Sequence, residues 1–154
     1  TKQGEKSAVL IIRKHRLWET FMVEKLDFNW DEVHEVAEQL EHIKSPKLID
    51  SIDHLLNYPK RDPHGDPIPN KYGQFPTLSD RLLADCSLGD SGTIQAVKEH
   101  STPFLKYLES QQLLIGVHVE VIDFFDYDNS FKIRINKQHE TIISKKVSEH
   151  ILLA

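Results

Sequence analysis

Five of the chain's seven prolines fall between residues 58 and 76, in YPKRDPHGDPIPNKYGQFP. Proline fixes its own φ, removes a backbone donor and pushes the preceding residue out of the α region. Neither a helix nor a central strand can run through this stretch. The chain is thereby divided in two, and the sequence on either side follows a different period.

Before residue 58 the apolar residues recur at helical spacing. Ala8, Ile11, Ile12 and Leu17 lead to Phe21 and Met22, which predicts a first helix of about 20 residues. Val33, Val36, Ala37, Leu40 and Ile43 predict a second of about 14, with Asn29 or Asp31 of the DFNW turn as its cap. A third helix opens at Ser45-Pro46, a hydroxyl cap followed by proline in the first turn, and carries Leu48, Ile49, Ile52, Leu55 and Leu56. After Thr77 the pattern becomes short strands: 93–97, 117–124, 130–135, 140–143 and 151–153, separated by turn signals such as Tyr127-Asp128-Asn129 and Asn136-Lys137. A short helix over 102–111, opened by Ser101 or Thr102, interrupts them. Strands this short and numerous predict a small barrel. The expected class is α+β, with a helical domain over residues 1–57, a proline-rich linker over 58–76 and a barrel over 77–154.

Chemistry concentrates in the helical part. His15 and Glu19 are one turn apart, and HEVAEQLEH carries His34, Glu38, Glu41 and His42. With His34 at 0° on a helix, Glu38 falls at about 40°, Glu41 at about −20° and His42 at about 80°, so all four share one face. One reading is a solvated polar stripe. The other is a metal site, because imidazole nitrogen mixed with carboxylate oxygen suits manganese and ferrous iron, with zinc, cobalt and nickel also able to bind.

Charge and cysteine content narrow the setting. The chain holds 19 Lys and Arg against 24 Asp and Glu, a net charge of −5, which argues against a free-standing nucleic-acid binder. The single cysteine, Cys86, excludes an internal disulfide and is compatible with a reducing cytoplasm. No apolar run approaches the ~18 residues of a transmembrane helix and no signal-peptide segment opens the chain, so a cytoplasmic protein is expected.

GEKSAVLIIRKHRLWETF, then WDEVHEVAEQLEHIKSPKLIDSIDHLL, then DPHGDPIP together resemble the DtxR/MntR family of metal-dependent transcriptional repressors. The motifs KHRLxE, HxxAExLEH and PHGxPIP in this order are specific as a set. The resemblance spans nearly the whole chain, and it implies that the second half is the SH3-like, FeoA-type barrel that many members carry. It further implies a homodimer formed through the apolar face of residues 29–56. Members begin with a winged helix-turn-helix, most of which this sequence lacks. The expectation is therefore a sensing and dimerising portion that binds operator DNA only as part of the full-length protein.

Site residues follow from the same resemblance. The position of Glu38 is cysteine in the iron-regulated branch and glutamate in the manganese-regulated branch, so Glu38, Glu41 and His42 resemble a manganese-type site. His15, Glu19 and His34 match the family's other site. In some members the PHG segment supplies ligands, which makes Asp62 and His64 candidates, although the position of Asp62 is often cysteine. Glu99 and His100, before the short helix of the barrel, match a region that sometimes offers a further ligand. Arg16 matches an anion-binding position in the iron-regulated branch. The expected ion is Mn2+ or Fe2+, with Zn2+, Co2+ or Ni2+ able to bind in vitro.

Rival readings are a metal-dependent hydrolase, for which no substrate pocket is legible, and a FeoA-like adaptor of a metal transporter, which leaves the helical ligands unexplained. No enzymatic activity is expected. GDSG at residues 89–92 reads as a strand-entry turn rather than a protease loop, since no partnered His/Asp framework accompanies it. His54, His118, His139 and His150 read as surface or partly packed residues, and Trp18 and Trp30 as helix-packing or dimer-interface residues rather than stacking platforms for bases.

Overall fold

Helix α1 runs from Lys2 to Lys25 in the computed structural model, which describes residues 1–154. Thr1 caps it by accepting from the Gly4 amide at 3.2 Å. Its buried stripe is Leu17, Trp18 and Met22, spaced as one face of a helix requires. Helices α2 (His34–Leu40) and α3 (Pro46–Leu55) pack against it. Val33, Ala37, Ile49, Ile52 and Leu56 complete the core, and Ile68 from the proline-rich segment joins them. Burying a large aliphatic side chain contributes about 1.5–3 kcal/mol, so this core is what holds the two short helices on α1.

Two features tie α3 in place. Ser45 Oγ accepts from the Leu48 amide at 3.3 Å, with Pro46 at the first helical position where its missing N–H costs nothing. Buried Arg13 reaches across from α1 to Asp53 at 2.8 Å and Asp50 at 3.2 Å.

The second helix is shorter than its periodicity predicts: seven residues rather than about 14. Residues 29–32 close a separate turn, in which the Glu32 amide donates to the Asn29 carbonyl at 3.1 Å and the Asn29 amide to Glu32 Oε2 at 3.0 Å. Neither Asn29 nor Asp31 caps the helix; the cap position is Val33, with no side-chain bond. At the other end the helix stops at Leu40 and Glu41 caps it, with helical dihedrals and its amide donating to the Ala37 carbonyl; Pro46 separately disfavours helix at Ser45.

The chain divides into two compact units, Thr1–Leu78 and Ser79–Ala154. In the second, six antiparallel strands form one sheet in the order β1-β6-β2-β3-β4-β5: β1 Arg81–Leu82, β2 Ser91–Val97, β3 His118–Phe125, β4 Ser130–Ile135, β5 His139–Ile143 and β6 Ile151–Leu153. Bulges between Ile94 and Ala96 and between Val121 and Asp123 bend it, as closure of a small barrel requires. Its interior is aliphatic: Ile94, Val119, Val121, Ile133, Ile135, Ile143, Ile151 and Leu153. Helix α4 (Thr102–Ser110) buries Leu105 and Leu108. A 3₁₀ turn at Leu83–Asp85 and a four-residue helix α5 (Lys145–Ser148), capped by Ser144, lie outside the elements predicted from the sequence. GDSG lies at the entry to β2, where a Cβ on Gly92 would meet the Ala154 carbonyl at 2.6 Å, so only glycine allows β6 to pair so closely.

Candidate metal centre

One helical turn on α1 brings His15 Nε2 to 2.6 Å from Glu19 Oε1. The other imidazole nitrogen, Nδ1, lies 2.6 Å from Glu41 Oε2 at the end of α2. His34, the first residue of α2, has Nδ1 3.5 Å from Glu19 Oε1 and Nε2 3.3 Å from Glu38 Oε1. Each of His15, Glu19 and His34 offers a ligand atom within 4.8 Å of the others.

Glu19 has a second face. Its other oxygen, Oε2, is 3.2 Å from His64 Nδ1, and Glu19, Asp62 and His64 form a second group whose ligand atoms also lie within 4.8 Å. All three are buried, with exposures of 2%, 6% and 1%. The two groups therefore meet on one carboxylate, each using a different oxygen.

The proline-rich segment builds the second group by folding into a tight turn rather than an extended connection. The Asp62 amide donates to the Asp66 carbonyl, the Gly65 amide to the Asp62 carbonyl and the Ile68 amide to the Lys60 carbonyl, all within 2.9–3.0 Å. Gly65 takes a φ of 87° at the tip, which a side chain would resist. Asp62 Oδ1 accepts from the amides of His64 at 2.8 Å and Asp66 at 3.0 Å, the local turn chemistry expected of an aspartate before proline. Its other oxygen remains for a longer-range partner.

Electrostatics distinguish the members. Burial alone would raise the Glu19 carboxyl, but hydrogen bonds to His15 and His64 outweigh it and bring it down to about 2. Burial opposes protonation of His15, yet Glu19 and Glu41 prevail and raise it. His64 is raised in the same way, by Glu19 and Asp62 against its burial. Asp62 is pushed up, first by burial and then by the nearby charge of Asp66 and Glu19. Without a metal, the centre thus gathers protons around an ionised Glu19.

A cation fits this arrangement. His64 Nε2 lies 2.6 Å from the Trp30 carbonyl, which can only accept, so Nε2 carries a proton. In a neutral ring Nδ1 then directs a lone pair at Glu19 Oε2, and two such lone pairs at 3.2 Å repel unless a proton or metal ion lies between them. Metal-bound histidines characteristically donate their other N–H to a carbonyl in this way. His15, with carboxylate oxygens 2.6 Å from both nitrogens, poses the same demand. The donors are oxygen and imidazole nitrogen with no sulfur, a set suited to manganese and ferrous iron and open to later divalent metals.

The remaining candidates are placed as follows. Glu38 and His34 are exposed, at 60% and 57%. His42 is 75% exposed and its nearest carboxylate oxygen is Glu41 Oε1 at 3.8 Å. Glu41 turns its other oxygen to His15, so Glu38, Glu41 and His42 do not converge on one point. Glu99 and His100 lie in the second unit, where Glu99 accepts from Ser101 Oγ at 2.9 Å and His100 Nε2 donates to the Val97 carbonyl at 3.0 Å. Arg16, for which the resemblance implies an anion, meets oxygens of its own chain: the Pro67 carbonyl at 2.5 Å, Asp66 Oδ2 at 3.9 Å and Asp62 Oδ2 at 4.0 Å. Sequence reasoning missed the Trp30 carbonyl, which no residue type announces, and the stacking of Trp30 on His64 at 6.0 Å between ring centroids.

Comparison with known proteins gives matches to both units. The family described as iron dependent repressor, metal binding and dimerisation domain matches residues 1–70, and the FeoA domain matches residues 81–154. A probable metal transport system membrane protein from Chlamydia trachomatis serovar D is 41% identical over 71 residues, 46% of this chain and 16% of that protein. The iron-dependent repressor IdeR of Mycobacterium bovis is 38% identical over 69 residues, 45% of this chain and 30% of the repressor. The chain thus spans under a third of these curated relatives. Among solved structures, a manganese-dependent transcriptional repressor in complex with manganese is 35% identical, with a TM-score of 0.94 over 100% of this chain and 73% of that one.

Proposed function

Because the chain belongs to the DtxR family of metal-dependent repressors, in both its helical and its FeoA part, we propose that it is the metal-sensing and dimerising part of a manganese- or iron-responsive transcriptional repressor. The observation that carries this reading is the sharing of Glu19 between two histidine–carboxylate groups, one from α1 and α2 and one from the proline-rich turn. His15, Glu19, His34 and Glu41 would hold one ion, and Glu19, Asp62 and His64 a second. A divalent ion supplies the positive charge that the facing lone pairs require.

Metal binding would act as a clamp. Glu19 belongs to α1, His34 and the cap residue Glu41 to α2 and its end, and Asp62 and His64 to the turn, so two ions on one carboxylate would tie three segments together. A few kcal/mol of differential binding moves a two-state equilibrium from mostly one state to mostly the other. In the repressor this would set operator affinity by metal supply, in the cytoplasm. Dimerisation through residues 29–56 draws support from Ile43, Leu48 and Leu55, which are exposed despite being large and apolar. No helix is long and apolar enough to cross a membrane.

The test is anaerobic calorimetric titration of the protein with Mn2+, Fe2+ and Zn2+, with sedimentation run alongside. Two ions per chain and a dimer are expected. A chain that binds no divalent ion would leave the clusters as a protonated polar network and overturn the reading.

A further inference from the structure

Arg16 places a guanidinium between the proline-rich turn and α1 on the side of the buried carboxylates. Its three neighbours all come from that turn. Nη1 donates to the Pro67 carbonyl at 2.5 Å, Nη2 lies 3.9 Å from Asp66 Oδ2 and Nε lies 4.0 Å from Asp62 Oδ2. The first distance is a strong hydrogen bond; the other two are beyond hydrogen-bond reach but within range of charge attraction. The guanidinium therefore grips the turn by a backbone oxygen and lies close to two carboxylates without consuming their lone pairs.

That combination suits a carboxylate that must bind something else. Asp62 Oδ1 is taken by two amides of its own turn, so Oδ2, the atom facing Arg16, is the one left to reach an ion shared with Glu19 and His64. Three carboxylates, Glu19, Asp62 and Asp66, crowd this region, and repulsion among them would drive the turn away from α1. Ile68 in the core, the His64 bond to Trp30 and the attraction of His64 to Glu19 and Asp62 resist this; Arg16 adds positive charge from outside the group.

We propose that Arg16 is a positioning residue for the buried metal group: a resident cation that holds the Asp62–Pro67 turn on α1 and keeps Asp62 Oδ2 available to the ion. Its counter-anions are supplied by this chain, Asp62 and Asp66, so no external anion is needed. The inference rests on the metal-sensing reading above and adds to it a residue that touches no ion.

Manganese titration of Arg16→Gln and Arg16→Lys tests it, with the metal-free melting temperature measured for each. In Arg16→Gln one of the two manganese sites should weaken by about tenfold or more, as loss of a partner behind a ligand typically does, while the other keeps its wild-type affinity. Arg16→Lys, which retains the charge but reaches fewer of the three oxygens, should fall between. With Asp62→Asn as background, Arg16→Gln should have no further effect on metal binding. If Arg16→Gln folds poorly, Asp66→Asn removes one arm from outside the ligand set and should weaken the same site to a smaller degree. Unchanged affinity at both sites, or equal loss at both, overturns the proposal. So does a rise in melting temperature with sulfate that disappears in Arg16→Gln, which would make Arg16 an external anion site. A wild-type protein that binds no manganese would overturn the metal reading and this inference with it; a wild type with two sites and an insensitive Arg16→Gln overturns the inference alone.

Discussion

The two groups that meet at Glu19 are built by opposite routes. The open one takes His15 and Glu19 from a single turn of α1 and adds His34 and Glu41 from α2, so most of its geometry is local and its outer histidine stands in solvent. The buried one draws Glu19, Asp62 and His64 from positions 43 to 45 residues apart along the chain and encloses all three. Local spacing sets the His15–Glu19 half of the open group as soon as α1 forms, and α2 completes it. Long-range assembly gives a group that exists only when the turn is docked, and so only the second can report whether the turn is docked. A protein that must convert metal supply into shape benefits from having both on one carboxylate.

The largest effect should come from the shared residue. Glu19→Gln keeps the volume and removes the charge that both groups require, so both manganese-binding steps should vanish from the calorimetric isotherm. Removing one partner from a buried ionic pair costs about 3–5 kcal/mol, and the metal-free protein should unfold at correspondingly lower denaturant. Retention of either binding step in Glu19→Gln would break the view that one carboxylate serves both groups.

Asp62→Asn should separate the two. It preserves an oxygen for the amides of His64 and Asp66 but deletes the charge, so one binding step should disappear and the other remain. Metal-free stability should hold or rise, because burial and the neighbouring carboxylates already push Asp62 toward its neutral form. A large loss of stability without metal would instead make Asp62 chiefly a structural residue of the turn.

Acidity offers a graded version of the same contrast. His15 and His64 are raised in the folded, metal-free protein. A histidine with a raised folded pKa contributes stability that is fully present below its unfolded value of 6.5 and is lost as pH rises through the folded value. Asp62, also raised, loses its contribution in the same direction, starting from 3.8. Glu19, lowered to about 2, contributes above 4.5 and loses that as pH falls. Metal-free stability should therefore decline as pH rises through Asp62's folded value of about 7 and on through the raised histidine range above 6.5. Manganese should reverse the slope, since it displaces the protons that the raised groups hold and binds more tightly as they leave. Melting temperatures with and without manganese across this range check the crossing.

The unequal legibility of the two groups has the same physical origin. Spacing alone places His15 one turn from Glu19 and His34 one turn from Glu38, because the helix fixes those relations wherever it occurs. The proline-rich segment was readable as an interruption, and the family motif marked Asp62 and His64 within it, but nothing local says that such a segment folds back on α1. That depends on Gly65 closing the tip locally and on two long-range contacts, Ile68 entering the core and Arg16 meeting Pro67. The second helix shows the converse error. An apolar periodicity over residues 33–43 runs beyond the helix, which spans 34–40 with Glu41 as its cap, so the common face expected for His34, Glu38, Glu41 and His42 extends to Glu41 and is not continued by helix at His42.

That break sets the smallest and most discriminating effect. Glu38 and His34 form an exposed pair, 3.3 Å apart, and such pairs contribute no more than about 1 kcal/mol to stability. Glu38→Gln should therefore leave the metal-free protein almost unchanged and weaken only the open group's manganese affinity, by less than Glu41→Gln, because Glu41 Oε2 lies against His15 and Glu38 does not. Affinities of the two variants measured side by side decide where the outer ion sits. If Glu38→Gln costs as much as Glu41→Gln, the ion is held by α2 through Glu38, Glu41 and His42. That result requires the end of α2 to rewind by a residue or more on metal binding, bringing 75%-exposed His42 round to the face that Glu38 already occupies.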